Sequence, residues 1–227
     1  MILLTVAVFV MALIAISQGP SSVGFKDSFA ALFRDAGLAH AIVWKLRFPR
    51  IVMAVIVGCG LALAGTVFQS ILRNPLASPY TLGIAASAGF GAVMAIVFGA
   101  GLYSAYLIAV DAFFCLFLSS ALVLGIARLK GSTVETMVLA GIAIMFLFSS
   151  LSSLLQYMGT MEEVHEIVFW FFGSLSKVGW KEIGIASAMI LVPIPILWKW
   201  SWDLNLLAAG DESAKALGVN VDAIRML

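Results

Sequence analysis

An all-α fold built from several membrane-crossing helices is what this sequence predicts, and three observations carry it. Of 227 residues, 63% are apolar and 11% charged, with a mean hydropathy of +1.10. Runs of about twenty apolar residues, the length that crosses the hydrocarbon core, recur along the chain. Short polar junctions rich in Pro, Gly and Arg separate those runs. A soluble domain of this composition would have no aqueous surface to offer.

The elements follow in order, and six spans are expected. The first is Ile2–Ser17, which lacks the basic start of a secretory signal and so reads as a membrane helix. From Gln18 to Lys45 the chain is polar, with a short interfacial helix expected around Phe25–Leu38 carrying Lys26, Asp27, Arg34 and Asp35. Arg47-Phe48-Pro49-Arg50 comes next, where the proline fixes φ and is expected to start the second span, Ile51–Leu72. Asn74-Pro75 then removes a backbone donor and forces a break. The third and fourth spans are read as Tyr80–Phe98 and Leu102–Leu129, with Gly99-Ala100-Gly101 and Tyr103 marking the turn between them. The fifth is Val134–Met158 and the sixth Ile183–Trp200.

Small residues recur every fourth position at Gly83, Ser87, Gly91, Ala95 and Gly99, and again at Ala54, Gly58, Ala62 and Thr66. Stripes of this kind let helix backbones approach closely, so they argue for packing rather than chemistry. The segment Asn205–Val219 is small and polar, with Asp211, Glu212 and Lys215 at helical spacing. It reads as two short helices joined at Gly210, with Gly218 ending the second.

Several function classes fall away. Net charge is +1 with scattered basic residues, which recommends no nucleic-acid partner. Cys59 and Cys115 lie in apolar runs and read as small core residues. Gly89-Phe90-Gly91 lacks the strand and third glycine of a dinucleotide fingerprint, and no G-x-x-x-x-G-K-[ST] phosphate loop is present. Glu162, Glu163, His165 and Glu166 contain one Glu-x-x-His pair where a di-iron site needs two; an exposed acidic turn is expected there, and a membrane metalloenzyme is the competing reading. His40 is expected at the surface. Asp111, an ionisable group inside the fourth span, opens a proton-coupled transporter as the alternative function. Basic residues number seven on the side of Arg47 and six on the side of Arg73, so their distribution does not orient the chain.

Leu46-Arg47-Phe48-Pro49-Arg50, Gly65 through Gln69, and Arg73-Asn74-Pro75-Leu76-Ala77-Ser78-Pro79 with Leu82-Gly83 form a specific series. Leu139-Ala140-Gly141-Ile142-Ala143, Phe169-Trp170 with Gly173-Ser174 and Trp180, and Leu204 through Val219 continue it. In these motifs the chain resembles the FecCD and BtuC type of permease subunit from binding-protein-dependent ABC importers of iron siderophores, haem and vitamin B12. Members of that family have about ten helices with an inverted repeat. The resemblance therefore implies that residues 1–227 are a truncated permease domain, roughly the N-terminal two thirds of the fold.

The resemblance further implies a cytoplasmic amino terminus and a place in the inner or plasma membrane. Arg47 and Arg50 would dock a periplasmic or lipoprotein substrate-binding protein at the outer mouth, or else anchor a helix end to lipid phosphates. Asn74, Pro75 and Leu76 would form a cytoplasmic gate facing Ser132 to Glu135, or else a plain helix-ending turn. Residues 201–220 would be a coupling segment gripped by an ATP-binding cassette ATPase through Leu207, Gly210, Asp211, Glu212, Ala214, Leu217 and Gly218. Gln69, Met145, Gln156 and Trp170 are the pathway candidates, although a residue like Gln69 more often joins helices by a hydrogen bond than touches cargo. A second permease copy would complete a homodimer. ATP and Mg would sit on the ATPase, with no cofactor, no metal and no enzymatic activity expected on this chain.

Overall fold

The computed structural model describes residues 2–17, 24–33, 37–99, 105–131 and 133–225. The regular elements among those residues are all helices, without a strand. Four helices are long and apolar enough to cross a membrane: Leu38–Leu72, Tyr106–Lys130, Val134–Met158 and Trp180–Lys199. The other two expected spans are shorter apolar helices, Ile2–Ser17 and Ile84–Gly99. The chain divides into two units, residues 1–61 with 174–196 and residues 62–173 with 197–227.

In the first unit, α1 (Ile2–Ser17) is followed by α2 (Phe25–Phe33), which is shorter than the interfacial helix expected from sequence. Next come α3 (Leu38–Ile42), a π-helical turn (Val43–Arg47) and the start of α4 (Phe48–Leu72). Pro49 thus does not begin a helix. It sits inside a continuous one, and the preceding turn widens to absorb it. The Phe48 N–H reaches back five residues to the Val43 carbonyl. In that register the next donor, for the Trp44 carbonyl, would be the nitrogen of Pro49, which carries no hydrogen. The indole N–H of Trp180, at the start of α9 (Trp180–Leu191), donates to that carbonyl instead at 3.1 Å. Further along, a Cβ on Gly60 would fall 2.7 Å from Ile190 Cδ1, so α4 and α9 meet where one partner lacks a side chain.

The second unit is built around α5 (Ile84–Gly99), whose Ser87, Gly91, Ala95 and Gly99 are buried as the small-residue stripe requires. It packs against α6 (Ala105–Lys130), α7 (Val134–Met158) and α8 (Met161–Phe172). A Cβ on Gly91 would collide with the Asp111 carbonyl and Ala112 of α6, and one on Gly89 would lie 2.6 Å from the Phe171 ring of α8. The third span begins four residues later than expected, at Ile84. Tyr80–Gly83 form turns instead, with Ser78 and Thr81 hydrogen-bonded to each other and Gly83 at φ +74°. A Cβ on Gly83 would come within 2.9 Å of the Gly141 carbonyl, and one on Gly141 within 2.7 Å of Leu82 Cα. The Leu-Gly and Leu-Ala-Gly motifs therefore interlock backbone to backbone, and neither glycine can be enlarged without parting α7 from the turn before α5.

α10 (Ile194–Lys199) follows a turn at Val192–Pro193 within the continuous apolar span Trp180–Lys199. Beyond it are α11 (Ser201–Ala209), α12 (Asp211–Ala216) and α13 (Val221–Arg225). Leu204, Leu207, Ala214, Val221 and Ile224 form their common core, joined by Val67 and Ile71 from the last turns of α4.

Candidate functional site

Three groups of expected site residues can be followed into the structure, the first of them in the first unit. Arg47 is 7% exposed, and its guanidinium donates to the Ile16 carbonyl at 2.7 Å and to Ser28 Oγ at 2.8 Å. Its charge is thus taken up at the meeting of α1, α2 and the π-helical turn. Arg47, expected at a docking face, is buried here and bonded within its own unit. Arg50 is half-buried and donates to the Ser176 carbonyl at 3.0 Å. Around them Trp44, Phe48 and Trp180 form an aromatic cluster with ring centroids 5.1–6.0 Å apart. His40 extends the cluster, 6.1 Å from Trp44. Its Nδ1 lies 2.9 Å from the Ala31 carbonyl, so it is a part-buried structural residue and not the surface group expected.

The second group surrounds the Asn-Pro loop in the second unit. α4 ends at Leu72, and Arg73 takes φ +48°, the left-handed position where glycine is usual. The Asn74 N–H reaches back to the Gln69 carbonyl at 3.2 Å, closing the helix end. Asn74 Oδ1 accepts from the Leu76 N–H at 2.9 Å, and the Asn74 carbonyl from the Ala77 N–H at 3.0 Å. Gln69 Nε2 donates to the Pro75 carbonyl at 3.1 Å. Gln69 therefore braces the loop that follows its own helix, where a hydrogen bond between helices was expected. Leu76 is 83% exposed at the tip.

Beside this loop opens a cleft of about 390 Å³ lined by Leu72, Asn74, Ala77, Tyr80, Thr81, Val138, Ile142 and Met145. It brings together Asn74, expected at a gate, and Met145, expected on a pathway. Gln156 lies eleven residues further along α7, about three turns away, and Trp170 lies on α8, edge to face with Phe171 at 5.8 Å. Neither lines the cleft. Ser132 is outside the described residues, as are Ala100, Gly101 and Tyr103 of the expected turn and Arg34 and Asp35.

The third group is the segment α11–α13. Gly210 at φ +132° joins α11 to α12, and Gly218 at φ +85° ends α12, both as the sequence suggested. At that end Val219 N–H bonds the Ala214 carbonyl and Gly218 N–H bonds the Lys215 carbonyl, each at 3.0 Å. The expected coupling residues divide. Leu207 and Ala214 are fully buried and hold the segment together, whereas Glu212, Leu217 and Gly218 are exposed. Asp211 is turned inward and accepts two hydrogen bonds from Arg225, at 2.8 and 3.0 Å. The helix α13 and Arg225 were missed from sequence. Asn220 was the available signal, since its Oδ1 caps α13 through the Ala223 N–H at 3.0 Å.

The remaining candidates are quickly placed. Glu162 and Glu163 lie in the first turn of α8, not in an acidic turn. Thr160 and Glu163 form a capping box there, and the His165 ring stacks on Phe169 at 4.8 Å. Among the described residues no three His, Cys, Asp or Glu side chains gather in a metal-binding group. Asp111 is half-buried on α6, one turn before the buried Cys115.

Comparison with known proteins bears on the family and the fold. Residues 5–227 match the model of the FecCD transport family. A Methanocaldococcus jannaschii protein assigned as an ABC transporter permease is 39% identical over 83% of this chain and 57% of its own length. The hemin transport system permease HmuU of Yersinia pestis is 33% identical over 96% of this chain and 66% of its own. A solved chain from an inward-facing ABC transporter, assigned to the metal-chelate type, superposes with a TM-score of 0.83 at 34% identity. It matches 98% of this chain and 68% of its own length. The chain thus spans between about half and two thirds of the length of the relatives it matches.

Proposed function

Because this chain belongs to the FecCD transport family and is a multi-pass protein of the cell membrane, we propose that it is the permease subunit of an ATP-driven importer for a metal chelate such as haem, an iron siderophore or cobalamin. The α11–α13 segment carries this reading. It is a small folded knob with its own buried core, while Glu212, Lys215 and Leu217 on α12 and its end stay exposed. A solvated tail would not need that core. A surface meant to enter a groove on a separate ATPase would, because force passes only through a part that keeps its shape.

Hydrolysis then belongs to the ATPase, with its ATP and Mg, and this chain performs no catalysis itself. Closure of two ATPases would move the knobs of two permease copies and switch the pathway between outward and inward access. A substrate-binding protein would deliver cargo at the face carrying Arg50, whose half-buried guanidinium remains the better candidate for docking.

The test is co-purification. Leu217 is 66% exposed and outside the core of the knob, so Leu217→Arg leaves the fold in place. It is expected to abolish capture of the ATPase by the tagged permease, whereas Leu129→Arg, on an exposed residue of α6, is expected to leave capture intact. Equal capture by both variants contradicts the reading.

A further inference from the structure

Asp211 opens α12, the helix that the importer reading turns toward the ATPase, yet its carboxylate does not face outward. Both its oxygens accept from Nη2 of Arg225, whose side chain is only 3% exposed, and its Oδ1 also lies 3.6 Å from Arg73 Nη1. Arg73 is the residue immediately before Asn74-Pro75-Leu76. One carboxylate thus touches both the knob and the loop beside the 390 Å³ cleft.

The two contacts differ in kind. The Arg225 contact is short and part-buried, with one guanidinium nitrogen, Nη2, donating to both carboxylate oxygens, so it fixes Asp211 within the knob. The Arg73 contact is longer and partly solvated, with about a third of the arginine side chain exposed, a contact that can be made and released. Arg73 also holds a left-handed backbone, which a side-chain-bearing residue adopts only against a cost that glycine would escape. An arginine kept at such a position is explained when its side chain is used. The loop that follows is braced by the Gln69 to Pro75 hydrogen bond and by the Asn74 turn, so a pull on Arg73 moves it as one piece.

We propose that Asp211 is a positioning residue that transmits movement of the coupling segment to the Asn74–Leu76 loop through Arg73, with Arg225 as its anchor. This rests on the importer reading and adds the route by which the ATPase reaches the gate. The route predicts a division of labour: Arg73 affects transmission without affecting assembly, while Arg225 affects the integrity of the knob.

The experiment uses the assembled transporter in nanodiscs, with Cys59 replaced by serine and a bimane fluorophore on Leu76→Cys reporting the loop. Adding the non-hydrolysable nucleotide AMP-PNP is expected to shift the bimane emission in the otherwise native complex. Arg73→Gln and Arg73→Gly are expected to reduce that shift about tenfold, with ATPase co-purification and melting temperature unchanged, and Arg73→Lys to restore part of it. Arg73→Gln combined with Asp211→Asn is expected to be no worse than Asp211→Asn alone. A full shift in Arg73→Gln, a loss of ATPase capture in that variant, or multiplying effects in the double variant would each overturn the transmission route and leave the importer reading standing. Absence of any nucleotide-dependent shift and of ATPase capture in the complex with native Arg73 and Asp211 would overturn both.

Discussion

The two Arg-Pro junctions that bound α4 look alike in sequence and behave differently in structure. At Arg47-Phe48-Pro49-Arg50 the proline is swallowed by a helix that widens into a π turn, and the arginines bond to backbone carbonyls at Ile16 and Ser176. At Arg73-Asn74-Pro75 the helix ends, the proline lies in a turn, and the arginine faces a carboxylate on another element. The distinction comes from what precedes each proline. Asn74 offers its own side chain to the backbone and stabilises a turn, whereas Phe48 offers none and the helix continues. A proline beside an arginine therefore marks a junction without saying whether the chain bends there or runs through. The first junction holds its arginines on backbone carbonyls, and the second is the joint that the proposed transmission route would work.

Substitutions can sharpen that contrast. Arg47→Ala should have the largest effect, removing a buried cation and stranding two acceptors, at a cost of about 3 kcal/mol and a clear fall in melting temperature in detergent. Arg225→Ala should come close behind, also at about 3 kcal/mol, because it leaves the Asp211 carboxylate without the Nη2 that both its oxygens accept from. A limited-proteolysis time course should then show α11–α13 cut earlier. Arg50→Ala, losing one hydrogen bond from a half-buried position, should cost about 1 kcal/mol. Gln69→Ala should cost about 0.5 kcal/mol while raising hydrogen exchange at the Leu76 and Ala77 amides. Arg73→Gly should change stability least of all, since relief of the left-handed backbone, about 1 kcal/mol, offsets a weak ion pair. If Arg73→Gly instead melts as early as Arg47→Ala, the contrast between a clasp and a worked joint collapses.

Much of this was legible in advance, and the exceptions share one cause. The helical class, the glycine joints at 210 and 218, and the burial of Ser87, Gly91 and Ala95 followed from composition, backbone chemistry and small-residue spacing, all of which are local. The second stripe, Ala54, Gly58, Ala62 and Thr66, has the same spacing and is exposed. Spacing announces a packing surface without naming its partner. Arg47's inward turn could not be read because it depends on Ile16 and Ser28, distant in sequence, and on a π register that one proline nitrogen provokes. The Asp211 clamp was hidden for the same reason, since Arg73 and Arg225 lie on either side of it at long range. The late start of α5 at Ile84 was the nearest to legible: Pro79 and Gly83 bracket a turn that hydropathy alone reads as span.

The central claim is that α11–α13 is a handle in the cytosol, engaged by a separate motor. The most direct measurement places a cysteine at Leu217, in a chain with Cys59 replaced by serine, and exposes sealed right-side-out vesicles to a membrane-impermeant maleimide. The account expects no labelling until the vesicles are opened, and then rapid labelling that added ATPase suppresses. Rapid labelling of intact vesicles from outside would contradict it.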